Sequence, residues 1–401
     1  MRVLFLSAWF PYPHDNGSKL RIFNLLRGLS QKHEVTLYSL SERPEEPTPA
    51  PLAEICREVV AVESRPYRAG SSRALMGLLS PTPRVLVDRH SQEMYALVKR
   101  AVDERRFDVI VASQWYMAAY LEGLEGTPAI FDEIELGVFE QRVAEASGSI
   151  QRFRHELTTI KLRRYFENLL PRFGACTVAS PEEATLLEKR VPGYPNTVVI
   201  PNGISLADCQ GEWGESRADE LVFAGSFTYV VNHHAMQWFT GSVLPLIHEH
   251  RPQVRLRITG NHADLPLPYM RNVELAGMLP DVRPAVAGAW ASLAPLLVGG
   301  GTRLKILESM ALGTPVIATS KGAEGLQARD GEHLLIADTA PDFAAATLRL
   351  LGDEDLRRRL SENAQALVRE TYDWPVILPQ FLGLVEKVAA GASERVRAHS
   401  V

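Results

Sequence analysis

The sequence predicts an α/β protein in two halves, each organised around a parallel sheet. Three observations carry this reading. The chain has 401 residues, too many for one ordinary core, so two domains of roughly 200 residues each are expected. Short β-branched segments alternate with amphipathic ones in both halves, the rhythm of parallel strands joined by crossover helices in Rossmann-like units. The glycine run Gly299-Gly300-Gly301 leads into a helix-periodic stretch that stops at Gly313, before the β-branched segment Val316-Ile317-Ala318-Thr319.

In the first half Val3 to Ser7 reads as a strand, Ser18 to Gln31 as a helix and Glu34 to Tyr38 as the next strand. Further strands are expected at Val59 to Val62, Val109 to Ala112, Ala129 to Phe131, Ala175 to Ala179 and Thr197 to Ile200. Arg43 to Pro51, rich in proline with two adjacent glutamates, reads as an exposed loop. Pro201-Asn202-Gly203-Ile204 opens a polar stretch to Glu220 and marks the domain boundary. The second series runs through Leu221 to Ala224, a helix from about Asn232 to Glu249, Arg255 to Thr259, Val273 to Leu275, a helix near Val282 to Ala289, and Leu293 to Pro295. No short repeat and no low-complexity tract interrupts either series.

Composition narrows the class. Hydrophobic residues make up 46% and charged residues 23% of the chain, ordinary for a globular protein. A formal net charge of -5 gives no electrostatic footprint for nucleic acid. No apolar run reaches membrane-spanning length, and Arg2 to Ser7 is too short for the core of a signal peptide, so a cytoplasmic protein is expected. Cys56, Cys176 and Cys209 show no metal or redox spacing and read as structural or surface thiols. His233 and His234 are adjacent and would face different ways on a helix, which is not ligand spacing.

The glycine run carries the chemistry. Leu304, Leu307 and Ala311 recur at helical spacing, so a helix is expected from Thr302, an N-cap residue, to Gly313. The glycines let backbone N–H groups approach a phosphate at its N-terminus, where the helix dipole also favours negative charge. A cation there is locally unfavourable unless an anion is present, which singles out Arg303, and Lys305 less strongly, as anion ligands rather than members of a solvated face. Glu308 lies inside the apolar stripe. A carboxylate in that position needs partners: a core hydrogen-bond network or a ligand with vicinal hydroxyls, such as a ribose, would supply them.

This segment resembles the nucleotide-sugar site of retaining GT-B glycosyltransferases, specifically the large family 4, in the Gly-Gly-Gly-Thr-Arg form found among bacterial polysaccharide and sugar-transfer enzymes, and the resemblance extends over nearly the whole chain. It implies two Rossmann-like domains with parallel sheets facing an interdomain cleft, residues 1–200 plus 378–401 binding the acceptor and residues 201–377 binding the nucleotide sugar. Pro-Asn-Gly would be the hinge, and Tyr372-Asp373-Trp374 with the helix that follows would return the chain to the first domain. It implies a donor site made by Gly225 and Ser226 against the diphosphate, Gly277 and Met278 at the nucleobase, Gly300, Gly301 and Thr302 at the sugar or diphosphate, and Glu308 at the ribose. Two departures stand out. The cations usual after the glycine and two turns on are replaced by Ser226 and Asn232, so Arg303 and Lys305 are expected to stabilise the leaving group. The first of the family's paired glutamates would fall at Gly300, so only Glu308 remains.

On the acceptor side, the resemblance points to Gly17 and His14 in the loop after the first strand, though Asp15-Asn16-Gly17 is also ordinary turn chemistry. Asp132 and Glu133, with Glu135, form an acidic loop at a strand end, equally readable as solvated acids; Ile134 stands where related enzymes often have histidine. Trp115 and Tyr116 read either as a wall for the acceptor or as core. Arg152 to Arg172 interleaves cations with apolar residues, a surface helix or a membrane-surface contact. The expected function is transfer of a sugar, with retention, from a UDP- or GDP-linked donor to a glycan, glycolipid or small-molecule hydroxyl. The expected location is cytoplasmic, at the inner face of the membrane if the basic helix docks there. No Asp-x-Asp is placed to hold a divalent metal against a diphosphate, so no metal and no cofactor is expected. The alternatives are a nucleotide-sugar epimerase or hydrolase on the same fold and a non-catalytic GT-B scaffold.

Overall fold

Val3, Leu4, Phe5 and Leu6 are consecutive and all fully buried, which a strand achieves only when both of its faces are covered, as in a parallel sheet flanked by helices. In the computed structural model the described residues are all but Ala69, Glu135, 137–148, 300–302 and 399–401, with the side chains of 149–157 and 392–398 also left out. They form two compact units, Met1–Pro201 with Leu378–Val401, and Asn202–Ile377.

The first unit holds a seven-stranded sheet: β1 (Arg2–Ser7), β2 (Glu34–Ser41), β3 (Glu58–Glu63), β4 (Val109–Ser113), β5 (Ala129–Asp132), β6 (Ala175–Val178) and β7 (Thr197–Val199). The order is β3-β2-β1-β4-β5-β6-β7, and every pairing is parallel. The second unit holds six strands: β8 (Arg217–Ala224), β9 (Arg255–Thr259), β10 (Val273–Gly277), β11 (Ala289–Ala294), β12 (Val316–Ala318) and β13 (Leu335–Ile336). Their order is β10-β9-β8-β11-β12-β13, again parallel throughout. In both sheets the order reverses beside the first strand, between β1 and β4 and between β8 and β11. At such switch points crossovers leave in opposite directions and open a crevice at the carboxyl ends of the strands.

Local departures from the sequence reading have physical causes. The helix expected from Asn232 to Glu249 is broken into Val230–Trp238, a wider turn Phe239–Val243 and Leu244–His250. Gly241 and Pro245 sit at this break, and Pro245 has no N–H for the ladder. The helix expected to be capped by Thr302 starts at Leu304, with Arg303 in the cap position and no side-chain cap bond. The end of the Arg43–Pro51 loop begins a short helix, Ala50–Ile55. The chain's Asp-x-Asp, Asp353-Glu354-Asp355, is spent on a helix start: Asp353 accepts from Leu356 N at 2.8 Å and Asp355 pairs with Arg358.

In the basic helix Ser149–Leu169, Leu162, Tyr165, Phe166 and Leu169 are buried in the first unit's core. Lys161 donates to the carbonyls of Leu78 and Ser80 at 2.6 and 3.1 Å. Those four apolar side chains therefore face protein rather than a membrane. Among the described residues no helix is long and apolar enough to cross a membrane. All three cysteines are buried free thiols. Burial pushes Cys56 up to about 12 and Cys209 up to about 11, and lifts Cys176, beside Asp132, well above the usual thiol range.

Between the helix Gly17–Ser30 and β5 runs an ion pair with no exposure at all, Arg21 Nη2 to Asp132 Oδ1 at 2.7 Å. Arg21 also donates to the carbonyls of Ile200 and Pro201 at 2.9 and 3.2 Å. The Thr177 hydroxyl donates to Asp132 Oδ1 at 2.7 Å and accepts from Glu133 N at 3.0 Å. In the second unit the loops after β8 and β9 interlock: a Cβ on Gly260, whose φ is +103°, would lie 2.7 Å from Ser226 N. Gly260 N donates to Gly277 O at 2.8 Å.

Two predictions follow from this packing. Asp132→Ala strands a buried guanidinium and destabilises the protein by about 3–5 kcal/mol, whereas Thr177→Val costs on the order of 1 kcal/mol; urea unfolding curves of equal slope should show that ranking, and a small effect of Asp132→Ala would contradict the account. Gly277 also has positive φ, +71°, but no atom lies within 4 Å of its added Cβ. Gly277→Ala is therefore expected to cost only the left-handed strain of about 1–2 kcal/mol, and Gly260→Ala clearly more, by the same measurement.

Candidate active site

At the carboxyl edge of the second sheet, Gly225 follows β8 and lies where any side chain would collide. An added Cβ would meet Asn232 Nδ2 at 2.8 Å and Lys305 Nζ at 2.9 Å. Lys305 comes from the first turn of the helix Leu304–Ala311, and Asn232 from the helix Val230–Trp238. Their contact is direct: Lys305 Nζ donates to Asn232 Oδ1 at 2.8 Å, and Asn232 Nδ2 donates to Ser226 O at 2.8 Å. The Lys305 ammonium also sits 4.1 Å from the centre of the Phe223 ring. The residue keeps partial exposure, but its charged end has an amide, a ring and a glycine backbone around it. Desolvation there, assisted by the Arg303 charge, pulls its pKa down to about 7. The Lys305 ammonium is thus poised to gain from an anion and loses its proton readily without one.

Arg303 is nearly fully buried and donates to the carbonyls of Gly299 and Lys321 at 2.8 and 2.9 Å, with Glu324 3.7 Å away. Its guanidinium thus shapes the turn entering the helix, while Lys305 supplies the charge nearest Gly225. Ser226 closes the neighbouring turn, its hydroxyl donating to Asn261 O at 3.0 Å. Gly300, Gly301 and Thr302 lie outside the described residues.

One turn beyond Lys305, Glu308 occupies the apolar stripe as expected, half-buried in the helix. Its carboxyl pKa is raised by desolvation, opposed by Arg283 and reinforced by Asp281. Arg283 is already engaged with Asp281 through Nε and Nη2, both at 2.9 Å. Among the described residues the Glu308 carboxylate makes no hydrogen bond or ion pair. Gly277 ends β10 and Met278 follows it, 73% exposed, so this edge presents backbone and an open methionine side chain.

The first unit distributes its expected site residues differently. Gly17 begins the helix that Asn16 caps, Asn16 Oδ1 accepting from Lys19 N at 3.0 Å. His14 is exposed and stacks on Phe23 with ring centres 5.0 Å apart. Trp115 packs on Tyr116 at 4.5 Å and against the core, which favours the packing role. Asp132, expected to face the acceptor, is instead fully buried on Arg21 and Thr177 and has no surface to offer. Glu133 is buried beside it, with φ +62°.

Sequence reasoning did not single out Gln114. It follows β4 at the switch point with φ +68° and ψ 157°, a region almost reserved for glycine. Its N donates to Asp132 O at 2.8 Å, and its Oε1 accepts from the Trp9 indole at 2.7 Å. Nothing in the sequence signals that backbone. Asn232 and Arg283 were missed as site members because their partners are distant in sequence.

Comparison with known proteins follows this division. The Glycosyltransferase Family 4 model matches residues 16–208, and the model for Glycosyl transferases group 1 matches residues 218–353. A Phosphatidyl-myo-inositol mannosyltransferase of Mycobacterium leprae is 33% identical over 130 residues, covering 31% of this chain and 34% of its own length. An uncharacterized 44.6 kDa protein in the cps region of Klebsiella pneumoniae is 21% identical over 400 residues, covering 93% of this chain and 96% of that protein. Among solved structures, sucrose-phosphate synthase of Thermosynechococcus elongatus has a TM-score of 0.71 at 19% identity, covering 98% of this chain and 100% of its own. Anabaena Alr3699/HepE in complex with UDP has a TM-score of 0.68 at 15% identity, covering 96% and 100%. At these identities the structures speak for the fold, and with one glycosyltransferase model on each half and the two together spanning most of its residues, the chain belongs to the glycosyltransferases of the GT-B fold, a Family 4 domain followed by a group 1 domain.

Proposed function

We propose that the protein moves a sugar from a nucleoside diphosphate donor to an acceptor hydroxyl, with retention at the anomeric carbon, the second unit holding the donor and the first the acceptor. The observation that carries this reading is Glu308, a secluded carboxylate without a protein partner among the described residues, one helical turn from the Lys305 ammonium. Vicinal hydroxyls of a ribose answer the first group and a diphosphate answers the second. The cation that the family resemblance would place at 232 is absent, and Lys305 Nζ lies 2.8 Å from the Asn232 side chain, so in this proposal residue 305 delivers the missing charge to the same spot. As the bond between the anomeric carbon and the diphosphate breaks, negative charge grows on the leaving phosphate. An ammonium already fixed there, with the backbone N–H group of Ser226, lowers the barrier; the parts expected of Gly301 and Thr302 fall outside the described residues. Arg303 holds the turn in shape, and no metal is given a part.

The UDP found with the Anabaena neighbour supports a uridine donor as the first to test. The name of the mycobacterial relative, a phosphatidyl-myo-inositol mannosyltransferase, supports glycolipid synthesis as its setting; polysaccharide synthesis and a cytoplasmic location are part of the same proposal.

The pH dependence of UDP-glucose binding, measured by calorimetry, tests the site. Lys305 loses its proton as pH rises through about 7, so affinity should fall on the alkaline side. Glu308 must be ionised to accept ribose hydroxyls and its pKa is raised, so affinity should also fall as acid protonates it. Lys305→Met should abolish the alkaline limb and weaken binding about 10–100-fold, the equivalent of a charged hydrogen bond worth about 1.5–3 kcal/mol. Glu308→Ala should abolish the acid limb. Folding gives the opposite sign: because the folded pKa of Lys305 is depressed from 10.5, its contribution makes stability rise as pH climbs above about 7. Loss of binding at alkaline pH therefore cannot be confused with loss of structure through this group. A flat binding profile, or no binding of any nucleoside diphosphate, overturns the donor-site assignment.

A further inference from the structure

The first unit contains a cavity of about 430 Å³, within the size range of small-molecule sites. It is lined by residues of the helix Trp115–Ala118, its continuation through Tyr120, and the two short helices Ser72–Met76 and Arg84–Arg89. Since Trp115–Ala118 leaves the end of β4, the cavity opens from the carboxyl edge of the sheet, where α/β units bind ligands. Of the residues expected at the acceptor, Tyr116 lines it, whereas His14, Gly17, Trp115, Asp132 and Glu133 do not.

Two guanidinium groups face this space, and neither has a carboxylate partner among the described residues. Arg73 donates to His90 O at 3.0 Å. Arg89 donates to Arg65 O at 3.2 Å and lies 4.5 Å from the centre of the Tyr116 ring. These partners, with the Ser64 hydroxyl 3.5 Å from Arg89 Nη2, are uncharged; the Asp88 carboxylate lies within the field of Arg73 without an ion pair between them, and most of the N–H donors of the two groups remain unused. Both charges are felt at the Tyr120 hydroxyl, where they oppose the rise that burial causes. His90, stacked on Tyr120 with centres 5.1 Å apart, has its pKa lowered by burial and then by Arg73, so it adds no competing charge at neutral pH. The one acid of the lining, Glu122, accepts a hydrogen bond from Tyr165 at 3.2 Å. Tyr95, Tyr116 and Tyr165 supply flat faces and hydroxyls around the rest of the space, a wall suited to a polyhydroxylated ring.

We propose that this cavity binds an acceptor bearing a phosphate or carboxylate beside a sugar or polyol ring, with the anion on Arg73 and Arg89 and the ring against the tyrosines. That the ligand is the acceptor rests on the transferase reading above; that it is an anionic polyol rests on the cavity alone. The anion can come from a soluble sugar phosphate or from a lipid headgroup. Leu75, Met76, Leu78 and Leu79, just beyond Arg73, are 53%, 62%, 51% and 94% exposed, an apolar ridge that gives a headgroup's tail somewhere to lie.

The test is calorimetry on the full chain with glucose 6-phosphate and with glucose, alongside sedimentation with phosphatidylcholine vesicles with and without phosphatidylinositol, and with UDP-glucose as control. The expected result is that glucose 6-phosphate, or the phosphatidylinositol vesicle, binds where glucose or the neutral vesicle does not. Arg73→Gln and Arg89→Gln should each weaken that binding about tenfold or more, as loss of a charged hydrogen bond implies, and leave UDP-glucose affinity unchanged. Binding of the soluble probe alone assigns a free sugar phosphate, and binding of the vesicle alone assigns a lipid headgroup. If Arg89→Gln unfolds, Arg73→Gln, whose side chain gives up a single carbonyl contact, carries the test. The proposal is overturned if neither anionic probe binds better than its neutral counterpart, or if both variants bind like the wild type. Anion binding without UDP-glucose binding would leave the cavity assignment standing while the transferase reading fell.

Discussion

The first unit depends on the pairing of Arg21 with Asp132. A buried ion pair is not by itself a strong stabiliser, because desolvating both charges offsets most of their attraction. Its value here lies in what converges on it. Arg21 belongs to the first helix, Asp132 to the end of β5, Thr177 to β6, and the carbonyls of Ile200 and Pro201 to the segment where the chain leaves the unit. Thr177 passes the constraint on by accepting from Glu133 N, and Asp132 O holds the strained backbone of Gln114 in place. The sharp turns at the ends of β4 and β5 are therefore consequences of one charge pair beneath them.

The second unit treats its charges in the opposite way. Lys305 and Glu308 lie one turn apart on a short helix, and neither is neutralised by an oppositely charged neighbour of its own. The lysine is held by an amide and a ring, and the glutamate by nothing among the described residues beyond the field of Arg283 and Asp281. Both pKa values move toward the neutral form in consequence. Groups so arranged are costly in an empty protein and become favourable when a ligand carries the complementary pattern, which is why perturbed residues gather at functional sites.

Much of this was legible in the sequence, for reasons that differ by element. Parallel strands covered on both faces leave continuous apolar runs such as Val3 to Leu6, and these identify the sheets without reference to partners. Glu308 was legible because a carboxylate in an apolar helical stripe conflicts with its surroundings wherever the helix packs. Asp132 was not, since its partner Arg21 is 111 residues away and an acid at a strand end reads alike whether it faces water or a guanidinium. Lys305 was expected to stand in for the cation missing at 232, but the direct contact of the two side chains, 2.8 Å across a separation of 73 residues, was not legible in the sequence. Gln114 had no signal at all, because a left-handed glutamine is imposed by its neighbours and not encoded locally.

The three buried thiols have a practical meaning. Alkylation requires a thiolate in contact with reagent, and Cys56, Cys176 and Cys209 are denied both conditions in the native state. Each can therefore react only through an opening of its surroundings, at a rate set by the free energy of that opening. Cys56 and Cys176 belong to one unit and Cys209 to the other, so the native chain carries its own clocks for the separate breathing of its halves. For the same reason, a cysteine introduced on the surface can be labelled with the three natural ones left in place.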